Sequence, residues 1–268
     1  MVSSEQVRGR AAAPLPRSNR PTLDQERSLW RHGHRWVAGM DEVGRGAWAG
    51  PVTVGVAVLP PGVTRATMPR WLRDSKLLHE VRREAIFDAV AAWCACWAVG
   101  HASAAECDRW GMTAALRLAA YRALAGLPLV PDALVVDGPR DLLKEPPVQL
   151  ELSAQGAEPE RPDVPEVVTP ATVVPVVDGD ARCASVSAAS VLAKVVRDRL
   201  MREEAPHYPA YQFEVNKGYP SSAHKQALRG YGLSAIHRRS WAFVNGLPWS
   251  DGRVSLVAPP EQPVPPLT

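Results

Sequence analysis

Apolar residues along the chain follow two kinds of pattern, which predict strands and helices. Apolar runs bounded by Gly or Pro predict strands at 35–43, 51–59, 93–102, 132–137 and 172–178. Apolar residues at helical spacing predict helices at 79–92, 104–126 and 185–204, with a further short helix around 23–30. Strands come first and then alternate with helices, and this order predicts an α/β fold with a mixed β-sheet flanked by helices.

The chain divides into a central domain, predicted at 34–246, and two tails. Residues 1–33 are rich in Ala, Pro, Arg and Ser and predict a disordered tail. Residues 247–268 contain six prolines and predict a second, extended tail. Within the domain, the Pro-rich residues 139–171 predict a long insertion with little fixed structure, and residues 205–240 predict a helical C-terminal extension.

Composition fits a globular protein and indicates a weak preference for polyanions. The 268 residues are 46% hydrophobic, which is enough for a substantial core. The formal net charge of +3 favours a polyanionic partner but does not establish one. The four cysteines lack CxxC spacing and a nearby histidine pattern, so we expect reduced thiols and no zinc site.

The apolar runs are too short to indicate a membrane protein. The first residues of the chain contain no apolar segment of a secretory signal. No apolar run reaches the about 18 residues of a transmembrane helix. We therefore expect a cytoplasmic protein that does not act at a membrane.

Three of the predicted strands stop at acidic residues beside a glycine. The first ends at the adjacent pair Asp41 and Glu42, the second at Asp137, and the third at Asp178 and Asp180. Each strand end brings a carboxylate to the edge of a core, where an unpaired charge is costly. Carboxylate oxygens are the ligands that Mg²⁺ prefers, and Mn²⁺ should substitute for it. The pattern therefore indicates a divalent cation site.

The same acids also have a simpler explanation. Asp-Gly is a common turn dipeptide, and any one strand can end in a turn. Three such ends together favour the cation site. The adjacent acids Asp41 and Glu42 favour it as well, because they would point to opposite faces of a strand, so one of them must face inward or sideways. Composition does not choose between Asp178 and Asp180, because strand alternation would put both on one face.

A possible phosphate contact follows the first acidic pair directly. This segment is Gly44-Arg45-Gly46. Its two glycines let the backbone and one guanidinium approach a phosphate closely. A divalent cation site beside a phosphate contact indicates phosphodiester chemistry.

Nine short segments occur in order between about residues 36 and 242. They are weak one by one and highly specific in this order. The segments are Asp41-Glu42-Val43-Gly44-Arg45-Gly46, Ala49-Gly50-Pro51-Val52, Asp74-Ser75-Lys76, Val136-Asp137-Gly138, Gly179-Asp180-Ala181-Arg182, Ser187-Ala188-Ala189-Ser190, Ala193-Lys194-Val195-Val196-Arg197-Asp198, Asn216-Lys217-Gly218-Tyr219-Pro220 and His237-Arg238-Arg239-Ser240. On these segments the chain resembles ribonuclease HII, the type 2 ribonuclease H family.

The resemblance implies a ribonuclease H-like fold with a C-terminal substrate-binding extension. It implies an endonuclease that hydrolyses the RNA strand of RNA/DNA hybrids and nicks duplex DNA on the 5′ side of embedded ribonucleotides. Two-metal-ion catalysis with Mg²⁺ or Mn²⁺ would leave a 3′-OH and a 5′-phosphate. The catalytic and metal-binding carboxylates would be Asp41, Glu42, Asp137 and Asp180, with Asp178 as the alternative to Asp180.

The resemblance also implies how the substrate is bound. Backbone groups of the Gly-Arg-Gly segment would contact the 2′-OH, and a tyrosine would stack on the sugar of the following deoxynucleotide at an RNA–DNA junction. Each candidate has a plainer role, because a lone tyrosine often only packs, a serine can cap a helix and a single lysine is usually solvated. The predicted substrate-binding residues are Gly44, Arg45, Gly46, Lys76, Ser187 and Tyr219.

Other residues and other functions also fit parts of the pattern. Lys194 could support the site. His237-Arg238-Arg239 could grip a nucleic-acid backbone, although charge alone favours a solvated basic face at the surface. Ribonuclease HIII shares the catalytic core but adds a folded N-terminal domain, for which the tail is too short. A hybrid-binding protein with weak catalysis would bind phosphates more tightly without acids beside them. The presence of all four acids therefore argues against this alternative. We expect a monomer that acts on RNA/DNA hybrids and on duplex DNA containing ribonucleotides.

Overall fold

The computed structural model describes residues 20–144 and 162–247, which form a five-stranded sheet with helices on both faces. The strands are β1 (Val37–Val43), β2 (Val52–Leu59), β3 (Cys96–Ala102), β4 (Ala133–Asp137) and β5 (Thr172–Val176). The helices are α1 (Asp24–Arg31), α2 (Glu80–Trp93), α3 (Ala104–Ala125), α4 (Gly179–Arg182), α5 (Ala184–Glu204), α6 (Phe213–Asn216) and α7 (Ser222–Tyr231).

The order of strands across the sheet is β3-β2-β1-β4-β5. β1 pairs antiparallel with β2 and parallel with β4, β2 pairs antiparallel with β3, and β4 pairs parallel with β5. This mixed sheet confirms the predicted fold class. All five predicted strands are present, and α2, α3 and α5 correspond to the three long helices that apolar spacing predicted.

Side-chain alternation along β1 divides the core into two layers. Ala38 and Met40 pack in the cluster that includes α3, whereas Val37 packs in a cluster with the start of α5. Residues two apart on a strand share a face, so Asp41 lies on the α5 side together with Val37. The small residues Ala188 and Ala189 of α5 are fully buried, which allows this helix to lie close to the sheet.

The predicted disordered tail at 1–33 is too long, because residues 20–33 belong to the described part of the fold. The helix α1 buries Leu29 and Glu26. The Glu26 carboxylate accepts hydrogen bonds from the amide and hydroxyl groups of Ser185, at 2.8 and 2.7 Å. The helix α1 corresponds to the short helix predicted around 23–30, and only residues 1–19 of the predicted tail lie outside the described residues.

The expectation that Asp178 and Asp180 share a strand face is wrong. The strand predicted at 172–178 ends at Val176. Asp178 has a left-handed backbone (φ 56°) and precedes α4, which contains Asp180. Because the chain turns here, the two-residue period of a strand no longer applies.

The C-terminal extension at 205–240 contains short helices around a small apolar cluster that includes Tyr211, Phe213 and Leu228. Of the insertion predicted at 139–171, residues 162–170 have no regular secondary structure, and 145–161 lie outside the described residues. The tail from residue 248 onward is also outside them. Within the described ranges, no helix is long and apolar enough to cross a membrane. The four cysteines are free thiols.

Candidate active site

Asp41 and Asp137 lie at the same edge of the sheet, near the carboxyl ends of two neighbouring parallel strands. Met40 of β1 is in register with Val136 of β4, so the next residue on each strand is an acid. Alternation puts both acids on the α5 side. Asp41 is only 3% exposed, and the adjacent Glu42 is partly buried. The parallel pairing therefore joins two of the acidic strand ends that the sequence identified.

Asp180 joins the same edge from the first turn of α4. The amide of Gly179 donates a 2.7 Å hydrogen bond to Asp137 Oδ1, which fixes α4 against the end of β4. Asp180 is buried, whereas Asp178 is exposed. Lys76 Nζ donates to Asp180 Oδ2 at 2.9 Å. This geometry favours Asp180 over Asp178 as the fourth carboxylate.

The carboxylates form a compact, mutually repulsive cluster. Single ligand oxygens of Asp41, Glu42 and Asp137 lie within 4.8 Å of one another. Burial raises the pKa of Asp41 well above its usual range; a hydrogen bond from Ser190 opposes this, while the charges of Glu42, Asp137 and Asp180 add to it. Burial and the charge of Asp180 also raise the pKa of Asp137. An oxygen-only donor set with excess negative charge fits a hard divalent cation.

Two serines that the sequence did not single out support Asp41. Ser190 of α5 hydrogen-bonds the Asp41 carboxylate. Its hydroxyl also lies 2.9 Å from the hydroxyl of Ser75, and both serines are buried. Ser75 is next to Lys76. The segment that carries both residues is therefore joined to the carboxylate cluster twice, through the contact of Ser75 with Ser190 and through the hydrogen bond from Lys76 to Asp180. The sequence signal that could have identified Ser190 is its position on the side of α5 that faces the sheet.

Lys76 lies in the site, as predicted, but Ser187 does not fit its predicted role. Although partial burial opposes the shift, the hydrogen bond and charge of Asp180 raise the pKa of Lys76. Lys76 is therefore a stable cation beside the acids. Ser187 is fully buried inside α5, and its hydroxyl has no hydrogen-bond partner. A side chain without solvent access cannot contact a phosphate, so the substrate-binding prediction for Ser187 is wrong.

The Gly-Arg-Gly segment rests on two buried arginines. Arg238 donates hydrogen bonds to the carbonyl oxygens of Gly44 (2.7 Å) and Arg45 (3.0 Å). Arg197 donates to the carbonyl oxygens of Pro51 (2.9 Å) and Ala49 (3.2 Å), which follow the segment. Both arginines are fully buried, which leaves the side chain of Arg45 exposed above them. Sequence reasoning missed this support and assigned Arg238 to the surface.

Tyr219 contacts the Gly-Arg-Gly segment directly. Its hydroxyl accepts a 3.1 Å hydrogen bond from the amide of Gly44. Lys194 Nζ lies 5.1 Å and the Arg197 guanidinium 5.3 Å from the centre of the tyrosine ring. Lys194 is also paired with Asp198 at 2.7 Å, which fixes its ammonium group beside the tyrosine ring. The half-buried ring is thus fixed beside the segment with which the resemblance associates it.

A buried histidine pair holds the segment of Tyr219 in place. His224 Nδ1 lies 2.9 Å from the Tyr219 carbonyl oxygen and must donate to it, so His224 Nε2 is an acceptor. His237 Nε2 lies 2.9 Å from that nitrogen and therefore donates. His237 Nδ1 accepts from the amide of Ser234. Both rings are neutral in this arrangement, and His237 is buried, so it cannot grip a nucleic-acid backbone as predicted.

We expect this pair to make the fold sensitive to acid. Burial lowers the pKa of both histidines, that of His237 to about 3, whereas an unfolded histidine titrates near about 6.5. Below about pH 6.5 the unfolded chain binds protons that the folded chain excludes, so stability falls as the pH decreases toward 3. Urea unfolding at about pH 7 and about pH 5 should show a smaller acid-induced loss for His237→Gln than for the wild type. An equal loss would assign the acid sensitivity to other groups, such as the carboxylates.

Comparison with known proteins gives one consistent family. Residues 38–244 match the family model for Ribonuclease HII. Ribonuclease HII of Streptomyces avermitilis is 43% identical over 245 residues, which cover 87% of this chain and 93% of the relative. The ribonuclease H2 structure from Pyrococcus horikoshii OT3 has a TM-score of 0.60 and 27% identity, covering 79% of this chain and 96% of that one. Bst-RNase HIII in complex with Mn²⁺ is similar in fold, with a TM-score of 0.54 and 19% identity, covering 79% of this chain and 68% of that one.

Proposed function

The chain belongs to the ribonuclease HII family, and we propose that Asp41, Glu42, Asp137 and Asp180 are its catalytic, metal-binding carboxylates. It is an endoribonuclease of the ribonuclease H type. The observation that carries the proposal is the convergence of the acids of β1 and β4, with oxygens of Asp41, Glu42 and Asp137 within 4.8 Å of one another, at the edge where α4 adds Asp180.

The metal that this cluster would hold is Mg²⁺ or Mn²⁺. The donors are all carboxylate oxygens, which these ions prefer, and a Mn²⁺ complex is known for the structurally similar Bst-RNase HIII. A pair of such ions, when bound, supplies a nucleophilic water and stabilises the leaving oxygen of an in-line displacement. The protein's own part is to orient the carboxylates, through Ser190 on Asp41 and the Gly179 amide on Asp137.

Lys76 is proposed to contact a phosphate of the substrate strand. Its ammonium group bonds Asp180, yet 71% of its side chain is exposed, so it can turn toward an incoming anion. The exposed Arg45 also borders the cluster, with its guanidinium 3.6 Å from the Glu42 carboxylate. Two cations that border an acidic cluster suit a substrate whose phosphate must approach carboxylates.

The Gly-Arg-Gly segment and Tyr219 are proposed to recognise the sugar. The 2′-OH is the group that distinguishes a ribonucleotide from a deoxyribonucleotide. Support comes from the hydrogen bond between the Gly44 amide and the Tyr219 hydroxyl, which puts backbone polar groups and an aromatic ring at one place. A ring there can stack on the sugar next to the ribonucleotide.

The proposed substrates are RNA/DNA hybrids and duplex DNA that contains ribonucleotides. The cut would fall on the 5′ side of the ribonucleotide and leave a 3′-OH and a 5′-phosphate. We propose that the enzyme acts as a monomer, because all four carboxylates come from one chain. Cytoplasmic localisation stays a prediction.

A nicking assay tests this function. Purified protein with Mg²⁺ should cut a DNA duplex carrying a single ribonucleotide at its 5′ side, and the all-DNA duplex of the same sequence should survive. Cleavage of the all-DNA duplex, or no cleavage of either duplex, would contradict the proposal.

The two glycines of the segment should respond differently to alanine. A Cβ at Gly44 would lie 2.2 Å from Arg197 Nε and 2.7 Å from the Pro51 carbonyl oxygen, on a backbone with φ +84°. We expect Gly44→Ala to lose about 1–3 kcal/mol of unfolding free energy from strain alone. A Cβ at Gly46 would meet nothing within 4 Å, so Gly46→Ala should fold normally.

The Gly46→Ala variant should nevertheless nick more slowly, because its methyl group would occupy space open to the sugar. Thermal melting and steady-state nicking of both variants check this. Wild-type kcat and KM in Gly46→Ala would show that substrate does not approach this residue.

A further inference from the structure

Three arginines surround Trp71, close in sequence to the active-site segment that carries Lys76, and two more lie near them. The guanidinium groups of Arg70, Arg73 and Arg82 lie 5.3, 5.7 and 4.5 Å from the centre of the Trp71 ring. Arg20 lies beside this group, because its guanidinium donates a 3.3 Å hydrogen bond to the carbonyl oxygen of Pro69, next to Arg70. Burial and the charges of Arg65, Arg73 and Arg70 lower the pKa of Arg20, which links Arg65 to the same group. We call this group the basic patch. Its members are Arg20, Arg65, Arg70, Arg73 and Arg82.

The basic patch has no carboxylate to balance it. Among the residues that the structure describes, none of its five arginines forms an ion pair with Asp or Glu. Neighbouring arginines of α2 and α5 behave differently. Arg83 is paired with Asp198, and Arg199 is paired with Glu84. These two neighbours therefore have balancing acids that the members of the patch lack within the described ranges.

Stability does not explain this arrangement. Arg73 is only 5% exposed, and its Nε atom is buried without a hydrogen-bond partner, as is that of Arg20. Buried donors without acceptors and clustered like charges both cost free energy. Stacking on Trp71 offsets part of this cost, but one ring has only two faces for three guanidinium groups. An anion could balance the clustered charge through the exposed guanidinium groups of Arg65 and Arg70.

The position of the patch identifies the anion. Arg73 is three residues before Lys76, whose ammonium group bonds Asp180, so their Cα atoms lie within about 11 Å. Successive phosphates of one strand of a duplex are separated by about 3.4 Å along its axis. A duplex with its scissile phosphate at the carboxylates therefore has other phosphates within reach of the patch, a few nucleotides away.

We propose that the basic patch binds backbone phosphates of the substrate duplex a few nucleotides from the cleavage site. This inference rests on the proposed function and extends it to the flanking duplex. Backbone contacts carry no base readout, so the patch should strengthen binding of long duplexes regardless of sequence. It should not change the chemical step.

The test compares duplexes whose DNA arms differ in length. Each contains one ribonucleotide, and one arm is shortened so that it ends before the patch, first on the 5′ side and then on the 3′ side. The patch variant carries Arg65→Gln, Arg70→Gln and Arg82→Gln, which spare the two members with buried, unpartnered Nε atoms. A second variant with Lys at the same three positions keeps the charge.

The control variant removes the same charge elsewhere. It carries Arg27→Gln and Arg31→Gln on α1 and Arg35→Gln just before β1, whose opposite end bears Asp41. For the patch variant on the long duplex at low salt we expect a KM raised about tenfold or more, an unchanged kcat, and a slope of log KM against log salt lower by about 2–3. The Lys variant should keep most of the wild-type affinity, and shortening one arm should cost the wild type but not the patch variant.

Three results would overturn the proposal. They are a wild-type KM in the patch variant, an equal loss in the control variant, and an equal loss on the long and shortened duplexes. If the wild type nicks no duplex at all, the proposed function fails instead, so the two failures are distinguishable. If the patch variant is altered in melting temperature, the single variants Arg65→Gln and Arg70→Gln at exposed positions take its place. A smaller dependence of KM on arm length than in the wild type supports phosphate contact, and an unchanged dependence contradicts it.

Discussion

Replacement of any one of the four carboxylates by its amide should abolish most nicking activity. The variants are Asp41→Asn, Glu42→Gln, Asp137→Asn and Asp180→Asn. An amide keeps the shape but loses the charge that binds a cation. Loss of a residue that only orients a metal ligand typically costs 10–100-fold, so loss of a ligand should cost more than about 100-fold. Single-turnover nicking at saturating Mg²⁺ measures this.

Folding should be preserved in these variants, which separates a chemical role from a structural one. Asp41 is buried among like charges, so Asp41→Asn should melt no lower than the wild type without metal, and we expect it to melt higher. The matched control is Asp178→Asn, since Asp178 is exposed and outside the cluster. An inactive Asp178→Asn beside an active Asp180→Asn would show that the wrong acid was assigned.

Tyr219→Ala should weaken cleavage at a single ribonucleotide by about ten- to hundredfold. An aromatic stack contributes about 1–3 kcal/mol in nucleic-acid complexes, which corresponds to this range. Tyr219→Phe should lose less, because it keeps the ring and gives up only the hydrogen bond with the Gly44 amide. The measurement is kcat/KM on a duplex with one embedded ribonucleotide.

A long RNA/DNA hybrid provides the control for this prediction. There the sugar after the cleavage site carries a 2′-OH, and the junction contact is absent. The Ala variant should therefore lose less on the hybrid than at a junction. Equal losses would mean that Tyr219 supports general binding or the fold, which its contacts with Lys194 and Arg197 would then explain.

The sheet was predictable from the sequence because its strands are apolar runs bounded by turn residues, and β1 and β4 also carry acids near their carboxyl ends. Parallel pairing of β1 and β4 then brings Asp41 and Asp137 together, and this follows from the α/β order of elements. The choice of Asp180 over Asp178 rested on the family resemblance, and alternation failed there. That choice depends on where β5 ends and the chain turns, which a two-residue period does not encode.

The support beneath the Gly-Arg-Gly segment could not be predicted. Arg197 and Arg238 donate to backbone carbonyl oxygens 146 and 194 positions away in the sequence. Any residue offers a carbonyl oxygen, so the pattern of residue types does not reveal such contacts. For the same reason Arg238 seemed to be a surface cation, since arginine is rarely buried without a carboxylate partner. The burial of Glu26 could not be predicted either, because the Ser185 groups that donate to its carboxylate are 159 positions away in the sequence.

The most direct test of the central claim, that one carboxylate cluster binds the divalent ions, is a calorimetric titration with Mn²⁺. The wild type should bind Mn²⁺, and Asp41→Asn should bind it at least about tenfold more weakly while Asp178→Asn binds as the wild type does. Equal Mn²⁺ affinity in the wild type and in Asp41→Asn would contradict the account.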